Sequence, residues 1–295
     1  MLKTVAKRAL QLVLLLIAAL VLIAAGLTVH GEWQRHYDRA PAPPLPTATA
    51  VGNDKGPVLI LLHGAGLNGH MWDAMRRSLD PSLRVMALDL PGHGLHSPGV
   101  YSLEATTEEI VAAARAVAPA PVILVGDSLG GYSAVAAASS IPAGQLRGIV
   151  MGGSSANFGV SNALRYPLDL LFIQTLLTLK NPDELAPLAL AKFGVAPADR
   201  GAILAAGVRM NAVAPATRAI AFVDFRAKLA QLDVPVLIVN GSLDTRSVEQ
   251  EDSFFAVLKH GSRYRFENCE HGVSMRRPAE LAKVVNEFVS KVVTP

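Results

Sequence analysis

The stretch from Val122 to Gly131 limits what this chain can fold into more than any other. Val122-Ile123-Leu124-Val125 is a β-prone apolar run. It passes without a loop through Gly126-Asp127-Ser128-Leu129-Gly130-Gly131 into a small-residue helical pattern over residues 132–139. A strand that turns this abruptly into a helix leaves no room for side chains around the turn. Gly126 and Gly130 supply that room, and Gly131 lets the helix pack closely. The apex residue, Ser128, is then held in a strained backbone conformation. Its hydroxyl projects from the carboxyl end of the strand, with the helix N-terminus behind it. That is the arrangement of a nucleophile elbow. Taken alone, the pentapeptide is also what an ordinary Gly-rich turn looks like, so the rest of the chain decides.

The surrounding sequence alternates strand and helix patterns. Pro57-Val58-Leu59-Ile60-Leu61-Leu62 is a continuous apolar run ending in His63-Gly64-Ala65-Gly66. Runs of this kind suit strands covered on both faces. A helical pattern over residues 70–79 follows, then a strand over 83–89 that ends in Leu90-Pro91-Gly92-His93-Gly94. Residues 102–118 read as a helix capped by Ser102. After the elbow, residues 146–151 form another strand, ending in Gly152-Gly153-Ser154-Ser155. Strands alternating with helices imply a mostly parallel sheet with helices on both faces, an α/β fold. Ligands of such sheets gather at the carboxyl ends of the strands, where all these Gly-rich loops lie.

Between residues 156 and 231 the alternation stops. Helical, apolar patterns cover 168–179, 184–193, 203–210 and 217–229, punctuated by Pro167, Pro182, Pro197 and Pro215. An insert far longer than a crossover is expected to sit over the active edge as a helical cap; helices that merely cover one sheet face are the plainer alternative. The sheet resumes at residues 234–240, ending in Gly241-Ser242-Leu243-Asp244. A helix over 248–259, an edge strand over 263–267 and a final helix over 278–292 complete the body.

A serine hydroxyl attacks at neutral pH only when a base removes its proton. Histidine is the usual base, oriented by a carboxylate that also stabilises the imidazolium. The chain offers Ser128, Asp244 and His271 in that order, each at or after the carboxyl end of a strand. Asp252 and Asp233 are rival acids, and His63, His93 and His96 rival bases. His63 and His93 are expected to hold their loops by hydrogen bonds, His70 and His96 to be solvated, Asp127 to point away from the nucleophile in a supporting or structural role, and Cys269 to be buried near the histidine loop.

With His63-Gly64-Ala65-Gly66, Asp89-Leu90-Pro91-Gly92-His93-Gly94, the elbow, Gly241-Ser242-Leu243-Asp244 and Glu270-His271-Gly272 in place, the chain resembles the α/β-hydrolase superfamily from about residue 57 to 290. The order Ser, Asp, His is the one expected of that scaffold. The resemblance implies Ser128 as nucleophile, Asp244 as acid and His271 as base. It further implies an oxyanion hole made of the backbone N–H groups of Ala65 and Leu129, each such donor being worth about 3–4 kcal/mol. Members that open epoxides or remove halide carry aspartate at the elbow apex; the serine here makes those chemistries unexpected.

The N-terminus lies outside the resemblance. Lys3, Lys7 and Arg8 precede an apolar run from Leu12 to Val29, close to the ~20 residues a helix needs to span a bilayer. An uncleaved signal anchor is the expectation; a signal peptide cut near Ala24-Ala25-Gly26 and a buried core helix are the alternatives. The basic residues before the run favour a cytoplasmic amino end with the body on the non-cytoplasmic side, while Arg35 and Arg39 pull against that orientation. The proline-rich stretch 40–46 reads as an extended tether. The expected organisation is an anchor at 1–30, a linker at 31–56, an α/β core at 57–155 and 232–295, and a helical cap at 156–231.

Other functional classes find little support. A net charge of +3 over 295 residues, with no basic cluster interleaved with aromatics in the body, argues against nucleic acid as a partner. A single cysteine excludes an intrachain disulfide framework and a Cys-based zinc site. No metal and no other cofactor is called for. The expected activity is hydrolysis of a carboxylic ester of a small or medium apolar acid through an acyl-enzyme. Amide, lactone, thioester and carbon–carbon bond hydrolysis on the same residues, and a non-catalytic ligand-binding role, are the alternatives.

Overall fold

The computed structural model describes residues 2–37, 50–97, 99–157 and 182–293. Seven strands form one sheet: β1 (Val51–Gly52), β2 (Val58–Leu62), β3 (Arg84–Leu88), β4 (Val122–Asp127), β5 (Leu146–Gly152), β6 (Val236–Gly241) and β7 (Gly261–Phe266). Their spatial order is β1-β3-β2-β4-β5-β6-β7. All pairings are parallel except β1 with β3, which is antiparallel.

The continuous apolar runs become the strands with both faces covered. Leu59, Leu61, Ile123, Val125, Val150 and Val239 face one layer, with Trp72, Met75, Val285 and Phe288 packed on them. Ile60, Leu62, Leu124, Ile149 and Ile238 face the other, under Ile110, Tyr132, Phe225 and Phe254. The period-two alternation along each strand thus feeds two cores, one per face. Helix α3 (Leu103–Ala116) is capped by Ser102, whose hydroxyl accepts the Ala105 N–H at 3.1 Å. Helix α4 (Leu129–Ala137) follows the elbow, and α11 (Pro278–Val293) lies against the opposite face.

The strand order sets the position of the site. From β2 the chain moves outward to β3; from β4 it moves the other way to β5. The carboxyl ends of β2 and β4 therefore border the topological switch point, where a crevice opens between diverging loops.

Between β5 and β6 the described residues form α5 (Pro182–Lys192), α6 (Pro197–Ala206), α7 (Val213–Ile220) and α8 (Phe225–Ala230). The pattern over 217–229 that reads as one helix is two, because the Asp224 side chain accepts the N–H groups of Arg226 and Ala227 and starts a new helix. The expected helix over 168–179 lies outside the described residues. The end of α6 and the segment after it touch the carboxyl-edge loops: the Arg209 N–H donates to Gly66 O at 2.7 Å, and Asn68 Nδ2 donates to the carbonyls of Ile203 and Gly207. The N-terminal helix α1 runs from Leu2 to Tyr37, past the end of the apolar run and into the mixed polar residues after it. The proline-rich tether lies outside the described residues.

Candidate active site

Ser128 has φ 53° and ψ −116°, and with Asn268 is one of two non-glycine residues with positive φ among those described. The turn is built as its glycines require. A Cβ on Gly126 would strike the Gly130 backbone, one on Gly130 the Leu62 carbonyl, and one on Gly131 the Ser154 hydroxyl. The Ser128 N–H donates to Gly152 O at 2.7 Å, tying the elbow to the end of β5. Its carbonyl accepts the N–H groups of Gly131 and Tyr132 as α4 begins.

The loop after β2 lies against this apex. A Cβ on Gly64 would sit 3.6 Å from Ser128 Cβ, so Ala65 follows directly on the point of contact. Leu129 opens α4, and its N–H is one of those a helix leaves without an internal acceptor. The loop that carries Ala65 and the first residue of α4, Leu129, thus both adjoin the serine.

Asp244 and His271 meet, although they are far apart in the chain. Nδ1 of His271 lies 2.7 Å from Asp244 Oδ2, with Asp244 buried and the imidazole partly open to solvent. With the aspartate ionised, Nδ1–H is the donor, which leaves Nε2 free to act as a base. Asp244 also caps α9 (Thr245–Phe255), its Oδ1 accepting the Ser247 N–H. Burial works against the charge of Asp244, but the hydrogen bond and charge of His271, with that cap, hold its carboxyl below the usual range. For His271, burial lowers the pKa; the hydrogen bond and charge of Asp244 and the charge of Asp127 outweigh it and raise the group above its ordinary value. His271 reaches the elbow through Gly153. A Cβ there would lie 2.8 Å from His271 Cε1, and Gly153 adjoins the Gly152 carbonyl bonded to Ser128.

The rivals take other places. Asp252 and Asp233 are exposed and paired with Arg263 and with Lys259 and His260. His63 is fully buried: Nδ1–H donates to Gly64 O at 2.8 Å and Nε2 accepts the Leu90 N–H at 2.9 Å, with burial lowering its pKa to about 4. His93 donates through Nδ1 to Pro91 O and is lowered to about 3 by burial and by the nearby His63. Both are neutral loop fasteners. His96 is a correction: it is buried rather than solvated, because its loop folds against α3, with Nδ1 3.3 Å from Glu109 Oε1. Both residues line a cavity of about 440 Å³ beside β3 that includes neither Ser128 nor His271.

Sequence reasoning passed over Asn240, Ser274 and Gly153. Asn240 Nδ2 donates to Ser155 Oγ and Glu251 Oε2, and its Oδ1 accepts the Gly153 N–H at 3.2 Å. The signal was present: a polar residue at the end of an otherwise apolar strand needs buried partners.

Residues 59–284 match the Alpha/beta hydrolase family. The chain belongs to that family and is an enzyme of it. A pimeloyl-[acyl-carrier protein] methyl ester esterase of Serratia marcescens is 31% identical over 252 residues, 79% of this chain and 93% of the relative. Among solved structures, a carboxylesterase of Nitrososphaera gargenis shares the fold with TM-score 0.69 at 17% identity, over 83% of this chain and 93% of its own. A bacterial membrane phospholipase A shares it with TM-score 0.63 at 22% identity, over 98% of this chain and 99% of its own.

Proposed function

We propose that this α/β hydrolase cleaves carboxylic esters of small or medium apolar acids through an acyl-enzyme on Ser128. The observation that carries the reading is the 2.7 Å contact between His271 Nδ1 and Asp244 Oδ2 beside a serine held at positive φ. In this reading Ser128 Oγ attacks the ester carbonyl while His271 Nε2 takes its proton. The N–H groups of Ala65 and Leu129 receive the oxyanion. The imidazolium then protonates the departing alkoxide, and water, activated by the same histidine, releases the acid. The esterase relatives support ester over amide hydrolysis. The apolar character of residues 156–231, read as a cap over the carboxyl edge, supports an apolar acyl group. The apolar part of α1 is read as a membrane anchor, with the body on the non-cytoplasmic side.

The test is labelling of the detergent-solubilised full chain with a fluorophosphonate, followed by turnover of p-nitrophenyl esters of graded chain length. Wild type is expected to label, and Ser128→Ala and His271→Ala to lose both labelling and turnover. Labelling that survives Ser128→Ala would assign the wrong nucleophile, and turnover of an amide or β-diketone panel without any ester turnover would refute the ester reading.

A further inference from the structure

The residue just before the nucleophile faces the same histidine from a second side. Asp127 ends β4 and is buried. Its Oδ2 accepts the hydroxyl proton of Ser274, which is fully buried in the first turn of α10 (Val273–Arg276), three residues beyond His271. Its other oxygen, Oδ1, has no hydrogen-bond partner among the described residues. A buried carboxylate oxygen left without a partner is costly, and it calls for an explanation. Gly153 supplies one. The position its Cβ would occupy lies 3.4 Å from Asp127 Oδ1, 3.0 Å from His271 Nδ1 and 2.8 Å from His271 Cε1. Only a residue without a side chain, here at φ 58°, leaves the carboxylate and the edge of the imidazole facing one another across that space.

We propose that Asp127 is a positioning residue for His271: it fastens the histidine loop through Ser274 and sets a second negative charge beside the imidazolium formed during acyl transfer. This rests on the serine-hydrolase reading above. A structural role alone would be met by any group accepting the Ser274 hydroxyl, and Asn would serve. The unpartnered oxygen turned toward the ring is the part that requires charge. Burial, with a smaller push from the charge of Asp244, holds the Asp127 carboxyl above its ordinary value, against the downward pull of protonated His271 and the Ser274 bonds. Asp127 is thus most fully ionised when His271 is cationic, which is when the charge is useful. The other groups acting on this pair are Asp244 from the loop after β6, Arg246 from α9 and Cys269 from the loop after β7, while Arg276 of α10 donates to the His271 carbonyl and pairs with Glu270.

The experiment is NMR titration of the full chain with labelled histidine ring and aspartate carboxyl carbons, the His271 signal being identified by its loss in His271→Gln. Asp127→Asn keeps the size and the Ser274 bond. It is expected to lower the His271 pKa by about half to one unit. The acidic limb of kcat/KM should move down equally, and kcat should fall more than KM changes. Reciprocity of linked sites demands that His271→Gln raise the Asp127 pKa by a similar amount. That measurement stands even where Asp127→Asn does not fold. An unchanged His271 titration in folded Asp127→Asn, or an unchanged Asp127 titration in His271→Gln, overturns the proposal. Both titrations read without substrate. Coupling found in a chain that no fluorophosphonate labels would therefore sink the hydrolase reading and leave the coupling standing.

Discussion

Ser128 sits at a backbone conformation that L side chains adopt only under constraint, at a cost of about 1–3 kcal/mol. The strain is held by the Gly152 carbonyl on one side and by the start of α4 on the other. Ser128→Gly is accordingly expected to be more stable than Ser128→Ala by about 1 kcal/mol, since glycine relieves the strain and alanine retains it. Paired thermal melts check this, and equal melting temperatures would mean that the turn stores no strain. The His271–Asp244 pair makes a prediction with two limbs. As a base, His271 must be neutral, so kcat/KM should rise with pH through a value above its ordinary 6.5. For stability the signs differ. The raised His271 contributes below its unfolded pKa, and this is lost as pH rises through its folded value. The depressed Asp244 contributes above its unfolded 3.8, and this is lost as pH falls through its folded value. Their joint contribution is greatest between about 4 and 6.5, so Asp244→Asn should lower the melting temperature most within that window and weaken the falls on either side of it. The placing of Ser128, Asp244 and His271 at the carboxyl edge of the sheet was legible in the sequence because each comes at or after the end of a strand signal. Asp127's partner Ser274 and the contact at Gly153 were not, because they arise between loops that meet only when β4, β5, β6 and β7 line up in that order.

The elements were legible where burial alone sets the pattern. The runs at β2, β4 and β6 are apolar on both faces, and no other element fits them. Reading failed where a single polar contact decides. The expected helix over 70–79 is a 3₁₀ turn (Gly69–Trp72) and a short α2 (Asp73–Arg76), started by Asn68, whose amide also bridges to carbonyls more than a hundred residues away. The two-residue β1 is too short to give any periodicity. Two glycines in helices separate packing from propensity. Alanine favours a helix interior over glycine by about 1 kcal/mol. In α6 a Cβ on Gly201 meets nothing within 4 Å, so Gly201→Ala should stabilise by about 0.5–1 kcal/mol. In α4 a Cβ on Gly130 meets the Leu62 backbone and lies 2.9 Å from its side chain, so Gly130→Ala should destabilise by more than about 2 kcal/mol despite the same propensity gain. Denaturant melts of the two variants decide; a Gly130→Ala protein as stable as Gly201→Ala would show that β2 and α4 can separate without loss.

At the scale of the whole chain the question is what α1 does. Among the described residues one helix is long and apolar enough to cross a membrane, over Ala6–Ile23, with mean hydropathy 2.2 and none of that window buried against the body. Leu15 and Leu22 are 67% and 72% exposed, a costly state for leucine in water. The helix itself continues to Tyr37. At 1.5 Å per residue it is about 54 Å long, more than the roughly 30 Å of hydrocarbon that a spanning helix has to cross. On the anchor reading proposed above, the carboxyl end of the helix would project from the membrane and the body would be tethered to it rather than embedded. A tether of that kind would make the apolar helix dispensable for the chemistry and necessary for location. The full chain is expected to stay in the membrane fraction through alkaline carbonate washing and to be released by detergent. A chain beginning at residue 50 is expected to be soluble and to keep its fluorophosphonate labelling. Release of the full chain by carbonate would refute the anchor. A soluble residue 50–295 protein that folds but no longer labels would mean that α1 contributes to the site itself, and that the body and its helix act as one catalytic unit.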